Sequence, residues 1–292
     1  MHGKKVVLIL FACGLAAAAP PHEFSGTRAM EYTRKAVSFG PRPPGSAALR
    51  ALRTYIEGQL KLRGCEVSED SFTAQSPGGP VPMANIIARF PGKSGRSVVF
   101  TGHYDTKKLA GGRFVGADDG GSSTGFLLEW AATVQGMPHD DDIYLVWFDG
   151  EEAFGEWSET DSLYGSRHLA ARWSKDSTLS RIKALINVDM IGGKNLDVMN
   201  EENSSESLRR LIWSTAERYG YGKYFNKGEG STDDDHIPFV KAGVNAVDLI
   251  DFDTSKKTYW HTAEDTMDKL AVHSFEVMGA VLTAVLKELE AQ

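Results

Sequence analysis

Two adjacent glutamates, Glu151-Glu152, follow the apolar run Ile143-Tyr144-Leu145-Val146-Trp147-Phe148, whose make-up is that of a buried strand. Burying one carboxylate is costly unless it is paired or bound to a metal, and burying two side by side is worse. The chemistry that uses such a pair is a cation held by one carboxylate and a proton carried by the other. Other strand-like runs end on matching residues. Run 98–101 leads into Gly102-His103-Tyr104-Asp105, run 184–188 into Asp189, and run 245–250 through a loop to Trp260-His261. Gly116-Ala117-Asp118-Asp119-Gly120-Gly121 stands just ahead of a helical pattern. In an open α/β sheet, ligands bind at the carboxyl ends of the strands. His103, Asp118 or Asp119, Glu151 or Glu152, Asp189 and His261 are therefore expected to converge in one cleft. Two imidazoles among several carboxylates suit zinc. Taken singly, each has a structural alternative: His103 a hydrogen-bonded strand end, Asp118-Asp119 a turn or helix cap, Asp233-Asp234-Asp235 a solvated loop. Their repeated placement at strand ends argues for a metal cleft.

The elements that would position these residues alternate along the chain. Helical spacing marks 26–38 and 46–63, with Ser46 as N-cap and the rigid turn Gly40-Pro41-Arg42-Pro43-Pro44-Gly45 between them. Residues 66–74 suggest an edge strand, and 83–90 and 97–101 further strands. A helix over 122–134 precedes the 143–148 strand. Then follow a helix over 163–173, strands over 182–188 and 196–199, a helix over 204–219 capped by Ser204, a short helix over 236–241, a strand over 245–250 and a long helix over 266–289. This alternation predicts an α/β fold: a single-domain, three-layer sandwich with a mostly parallel central sheet and helices on both faces.

The bulk composition is consistent with that fold. The chain has 292 residues, 41% hydrophobic and 24% charged, which suits one globular domain over 22–292. The net charge of −7 and the lack of basic clusters argue against nucleic acid as a partner. Lys4-Lys5, an apolar run over 6–19 and Pro20-Pro21 predict an export signal over 1–21, too short for a comfortable membrane span. The mature protein is then expected in the periplasm or secreted medium, with lipid anchoring through Cys13 as the second choice. Only Cys65 remains beyond Cys13, so an internal disulfide is excluded. Gly155-Glu156-Trp157-Ser158 lacks the pattern of a nucleophile elbow, so a serine hydrolase is not supported.

Gly102-His103-Tyr104-Asp105, Gly116-Ala117-Asp118-Asp119-Gly120, Asp149-Gly150-Glu151-Glu152, Val188-Asp189-Met190 and Trp260-His261-Thr262 resemble the zinc aminopeptidase clan M28 over about residues 26–290. Within it, the stretch from Glu151-Glu152-Ala153-Phe154-Gly155-Glu156-Trp157-Ser158 to Asp161-Ser162-Leu163-Tyr164-Gly165-Ser166-Arg167-His168 is similar to the animal-type glutaminyl-peptide cyclotransferases. So is Asp234-Asp235-His236-Ile237-Pro238-Phe239. The resemblance implies one zinc per chain held by Asp119, Glu152 and His261. It implies Glu151 as general acid/base assisted by Asp189 and Asp234, and Trp157, Trp260 and Phe154 as pocket walls. The substrates would be peptide N-termini whose glutamine closes to pyroglutamate with loss of ammonia, and the chain would act as a monomer. The alternative is an M28-type aminopeptidase, in which His103 and Asp189 would complete a second metal site. Two departures from the animal pattern stand out. Asp248 replaces a histidine and Gly120 a hydroxyl residue.

Overall fold

The computed structural model describes residues 23–292, so the expected signal over 1–21 and Cys13 lie outside the described residues. Two helices open the fold, α1 (Gly26–Val37) and α2 (Ala47–Leu60). The Ser46 hydroxyl accepts a hydrogen bond from the Leu49 amide and caps α2 as expected. Strands β1 (Glu66–Ser76) and β2 (Gly79–Phe90) form a hairpin closed by Pro77-Gly78. There follow β3 (Ser97–His103), α3 (Gly121–Gln135), β4 (Asp142–Phe148), α4 (Tyr164–Lys175), β5 (Ile182–Asp189) and β6 (Val198–Glu201). The chain ends with α5 (Glu206–Arg218), β7 (Phe225–Gly230), α6 (Ile237–Lys241), β8 (Ala246–Ile250) and α7 (Val272–Glu290).

Six strands make one sheet in the order β1-β2-β4-β3-β5-β8. The four strands from β4 to β8 run parallel, while β1 and β2 are antiparallel additions at one edge. Side chains alternate between the two faces, as the pleat demands. Val98 and Phe100 of β3, with Leu145 and Trp147 of β4, join the larger core under α1, α2, α3, α5 and α7. Val99, Val146, Phe148 and Leu185 point the other way, into a smaller core closed by Leu169 and Trp173 of α4 and Phe239 of α6. Helix α3 is buried on every side from Gly121 to Val134, which explains its nearly unbroken apolar and small-residue make-up.

Three sequence expectations are corrected. The long C-terminal helix starts at Val272, because 267–269 forms a separate 3₁₀ turn. Ser204 does not cap α5. Its hydroxyl donates to Glu201 Oε2 and accepts from the Asp248 amide, tying β6 to β8. Strand β7 was not expected, since Phe225-Asn226-Lys227-Gly228-Glu229-Gly230 has neither alternation nor β-branched residues; it pairs with β6 alone.

Candidate active site

The parallel strands β3, β4 and β5 deliver His103, Glu151-Glu152 and Asp189 to their carboxyl-end edge, where a cavity of about 440 Å³ opens. The turn before α3 adds Asp119, and the loop after β8 adds His261. Two groups of potential ligand atoms form there, each lying within 4.8 Å of one another: Asp119, Glu152 and His261, and His103, Asp119 and Asp189. His261 Nε2 is 3.0 Å from Glu152 Oε1 and 3.3 Å from Asp119 Oδ2. His103 Nε2 is 3.2 Å from both Asp119 Oδ1 and Asp189 Oδ1. The alternative between Asp118 and Asp119 is thereby resolved: Asp118 accepts from the Gly192 amide at 2.9 Å and pairs with Lys257 at 2.6 Å.

The donor set fits a metal ion. Glu152 Oε2 is buried and has no hydrogen-bond partner, although an ionised carboxylate oxygen is strongly penalised when left so. Carboxylate oxygens and an imidazole nitrogen are zinc ligand types, and three protein ligands leave the fourth position of a catalytic zinc for substrate. Hydrogen bonds from His103 and His261 hold the Asp119 carboxyl well below the usual carboxylate range, against the opposing effect of burial. Burial works against charging His261 as well, but its contacts with Asp119 and Glu152 win and raise it to about 9.

Glu151 is 7% exposed and makes no ligand group of its own. Burial pushes its carboxyl well above the ordinary range; His103 opposes this, and the charges of Glu152, Asp234 and Asp235 reinforce it. Burial likewise raises Asp189 to about 7. Asp234 and Asp235 are buried, so the triplet 233–235 is a solvated loop only at Asp233. Asp248 is buried too, accepting from Asn187 Nδ2 at 3.0 Å. Its carboxyl is pushed well up by burial and then by the charges of Asp234 and Asp189. Gly120 has a physical reason to lack a side chain. Its φ is +72°, and a Cβ would lie 2.6 Å from the Asp105 carbonyl and 2.9 Å from His103 Cε1.

Trp157 and Trp260 line the cavity as expected, joined by Phe252. Trp260 stacks on the His261 ring at 3.9 Å, and Phe114 meets that ring edge-on at 5.6 Å, so the imidazole is clamped in orientation. Phe154 is a correction: it does not line the cavity. Its ring packs edge-on against Tyr164, beside Met83, because hydrogen bonds from the amides of Phe154 and Gly155 to Asp161 curl the segment back on itself.

Three supporting residues escaped the sequence reading. Asp105 receives the amides of Glu151 and Glu152, at 3.2 and 3.3 Å. Asp265 receives those of Asp118 and Asp119, at 2.9 and 3.2 Å. Arg42, fully buried, donates to the carbonyls of Tyr104, Val115 and Gly116 and fixes the loop between them. Each acts on the backbone of a turn distant in sequence, so nothing in local spacing marks it. Met190 and His261, which line the cavity, have φ near +50°, as does Leu163 just ahead of α4, a conformation that costs about 1–2 kcal/mol each.

The model for peptidase family M28 matches residues 85–286. The Drosophila melanogaster glutaminyl-peptide cyclotransferase is 30% identical over 281 residues, covering 84% of this chain and 79% of that one. The crystal structure of an Acidobacteriales bacterium glutaminyl cyclase superposes with a TM-score of 0.87 at 37% identity, covering 96% of this chain and 99% of the other. A Zn-dependent exopeptidase from Parabacteroides distasonis gives 0.80 at 27% identity, covering 93% and 100%. The chain belongs to peptidase family M28, in its glutaminyl-peptide cyclotransferase branch.

Proposed function

We propose that the protein is a zinc-dependent glutaminyl-peptide cyclotransferase, converting N-terminal glutamine to pyroglutamate with release of ammonia. The observation that carries this reading is Glu151, a buried carboxyl of raised basicity facing a cavity walled by Trp157, Phe252 and Trp260. Asp119, Glu152 and His261 are the residues to hold one zinc. Bound there, the ion supplies Lewis acidity toward the carbonyl oxygen of the glutamine side chain. The tryptophans fold the side chain back over the peptide's own amine and exclude the water that would compete with it. Glu151 accepts a proton as the amine nitrogen bonds to the amide carbon, then delivers one to the departing nitrogen as the carbon–nitrogen bond breaks. Ammonia and a five-membered lactam result. Asp189 orients His103 through the 3.2 Å contact, and Asp234 reinforces the raised basicity of Glu151.

Among the described residues no helix is long and apolar enough to cross a membrane. An exported, monomeric enzyme acting on peptide N-termini is part of this reading. The test is incubation of purified protein with a glutamine-initiated peptide and, separately, with a leucine anilide. Ammonia release with the matching mass loss is the expected result. Anilide release without ammonia would make the protein an aminopeptidase instead. Metal analysis of native protein gives the ion count, one expected for a cyclotransferase and two if His103 and Asp189 complete a second site.

A further inference from the structure

Beyond Trp157 lies a second cavity of about 400 Å³, within the size range of ligand sites. Trp157 and Asp233 line both cavities, so the two are continuous across the indole. That indole is 39% exposed, one of the few large apolar side chains so placed. The floor of the second cavity is apolar, from Leu163, Ile237 and Pro238. Its polar groups are arranged along its length. Asp233 stands at the junction with the active site, whereas Arg167 and Lys241 line only the far cavity, as does the exposed Glu159. The Arg167 guanidinium bonds to the carbonyls of Ser162 and Leu163 and lies over the Tyr164 ring at 5.1 Å. Among the described residues neither Arg167 nor Lys241 has a carboxylate within ion-pair distance. Two cations from α4 and α6 thus meet at a groove that leads out of the catalytic cavity, with no anion of the protein paired to them.

We propose that this groove is a binding subsite for the peptide downstream of the reacting residue, selecting acidic side chains at the third to fifth positions. The inference rests on the cyclotransferase reading and names its substrate class: extended peptide or protein N-termini. The cyclising site needs only the first residue; the groove continuous with it past Trp157 gives the remainder of the chain a path, along which an extended backbone advances about 3.3 Å per residue. The aromatic ridge and apolar floor contact the backbone without regard to sequence. Arg167 and Lys241 add the selectivity, and as surface charges they are worth only a few-fold.

Three substrates test it: a glutaminyl-alanine dipeptide amide, its extension by three glutamates, and its extension by three lysines. kcat/KM is read from ammonia release at low salt with the unmodified protein and with Lys241→Glu. The glutamate peptide is expected to exceed both others by about threefold or more, with the advantage shrinking as salt is raised. In Lys241→Glu the ratio of the glutamate to the lysine peptide is expected to fall by at least about threefold. Equal kcat/KM for the dipeptide and the glutamate peptide, a preference for lysine, or the same ratio in both proteins overturns the proposal while leaving cyclisation intact. Turnover of none of the three overturns the cyclotransferase reading, and this one with it.

Discussion

Lys257 is the buried cation that fastens the loop between β8 and His261 to the turn bearing Asp119. Its Nζ is 2.6 Å from Asp118 Oδ2, 3.2 Å from Asp251 Oδ2 and 3.3 Å from the Met190 carbonyl, and the residue is 5% exposed. Lys257→Met keeps the stem and removes the charge, leaving two buried carboxylates facing each other. Breaking such a pair costs about 3–5 kcal/mol. The lower end applies, because Asp118 keeps the Gly192 amide and the Tyr259 hydroxyl at 2.8 Å, whereas Asp251 keeps only the Asp197 amide at 3.2 Å. At ~2–4 °C per kcal/mol for a chain of this size, a loss of ~3 kcal/mol lowers Tm by ~6–12 °C near pH 7. Burial raises the Asp251 carboxyl to about 6, with Lys257 holding it down. A carboxyl raised above its unfolded value of about 3.9 destabilises the fold increasingly as pH climbs through the folded value. The gap between the two proteins therefore narrows near pH 5, where Asp251 carries its proton in both. Adding Asp251→Asn to Lys257→Met removes the surplus charge and is expected to recover part of the lost Tm. Calorimetric melts of the three proteins at the two pH values decide it. A Lys257→Met protein melting within about 2 °C of the parent, or a double variant no better than the single one, refutes the reasoning.

Glu151→Gln is expected to lower kcat by about 10²- to 10⁴-fold while zinc content, by elemental analysis, stays at the parent level. His261→Ala is expected to lose zinc, and chelator treatment of the parent protein to abolish activity in a way that added zinc restores, both read by metal analysis and ammonia release. Gly150→Ala forces a methyl to within 2.6 Å of Met83 Sδ at a φ of +73°, so Tm and kcat should fall together. For Glu201, burial alone would raise the carboxyl, but bonds from His236, Ser204 and the Asn203 amide bring it down to about 2. The stability it contributes is present above the unfolded value of about 4.3 and is lost as pH falls through the folded one. Melts of Glu201→Gln should lie below those of the parent near neutral pH and merge with them toward pH 2.

Much of the site was legible because strand ends are. Parallel strands bring their carboxyl ends to one edge of the sheet, so His103, Glu151-Glu152 and Asp189 needed only a correct reading of three apolar runs. Distinguishing Asp118 from Asp119 was beyond the residues themselves. The difference is a lysine 139 positions away that claims one of them. Phe154 sits in the same insert as Trp157, yet its ring turns inward because Asp161 accepts its own amide and that of Gly155. Asp105, Asp265 and Arg42 carry ordinary residue types in ordinary turns, and their importance is visible only once the turns they grip are beside them. Strand β7 went unseen because its pairing with β6, and not its own composition, makes it a strand.

The grip of Asp265 on the Asp118 and Asp119 amides spans 147 and 146 positions, and the His261–Glu152 contact spans 109. Contacts that distant carry a large loop-closure cost and form only after the rest of the chain has found its place. On a ribosome, the parallel strands β3, β4 and β5, complete by Asp189, can pair before residues 261 and 265 emerge. The candidate metal centre has no such head start. Until residues 261 and 265 leave the exit tunnel, the Asp119 turn lacks its anchor and the third candidate ligand, His261, is missing. A chain truncated before His261 therefore lacks both that imidazole and Asp265, and should bind zinc poorly even where β3, β4 and β5 still pair.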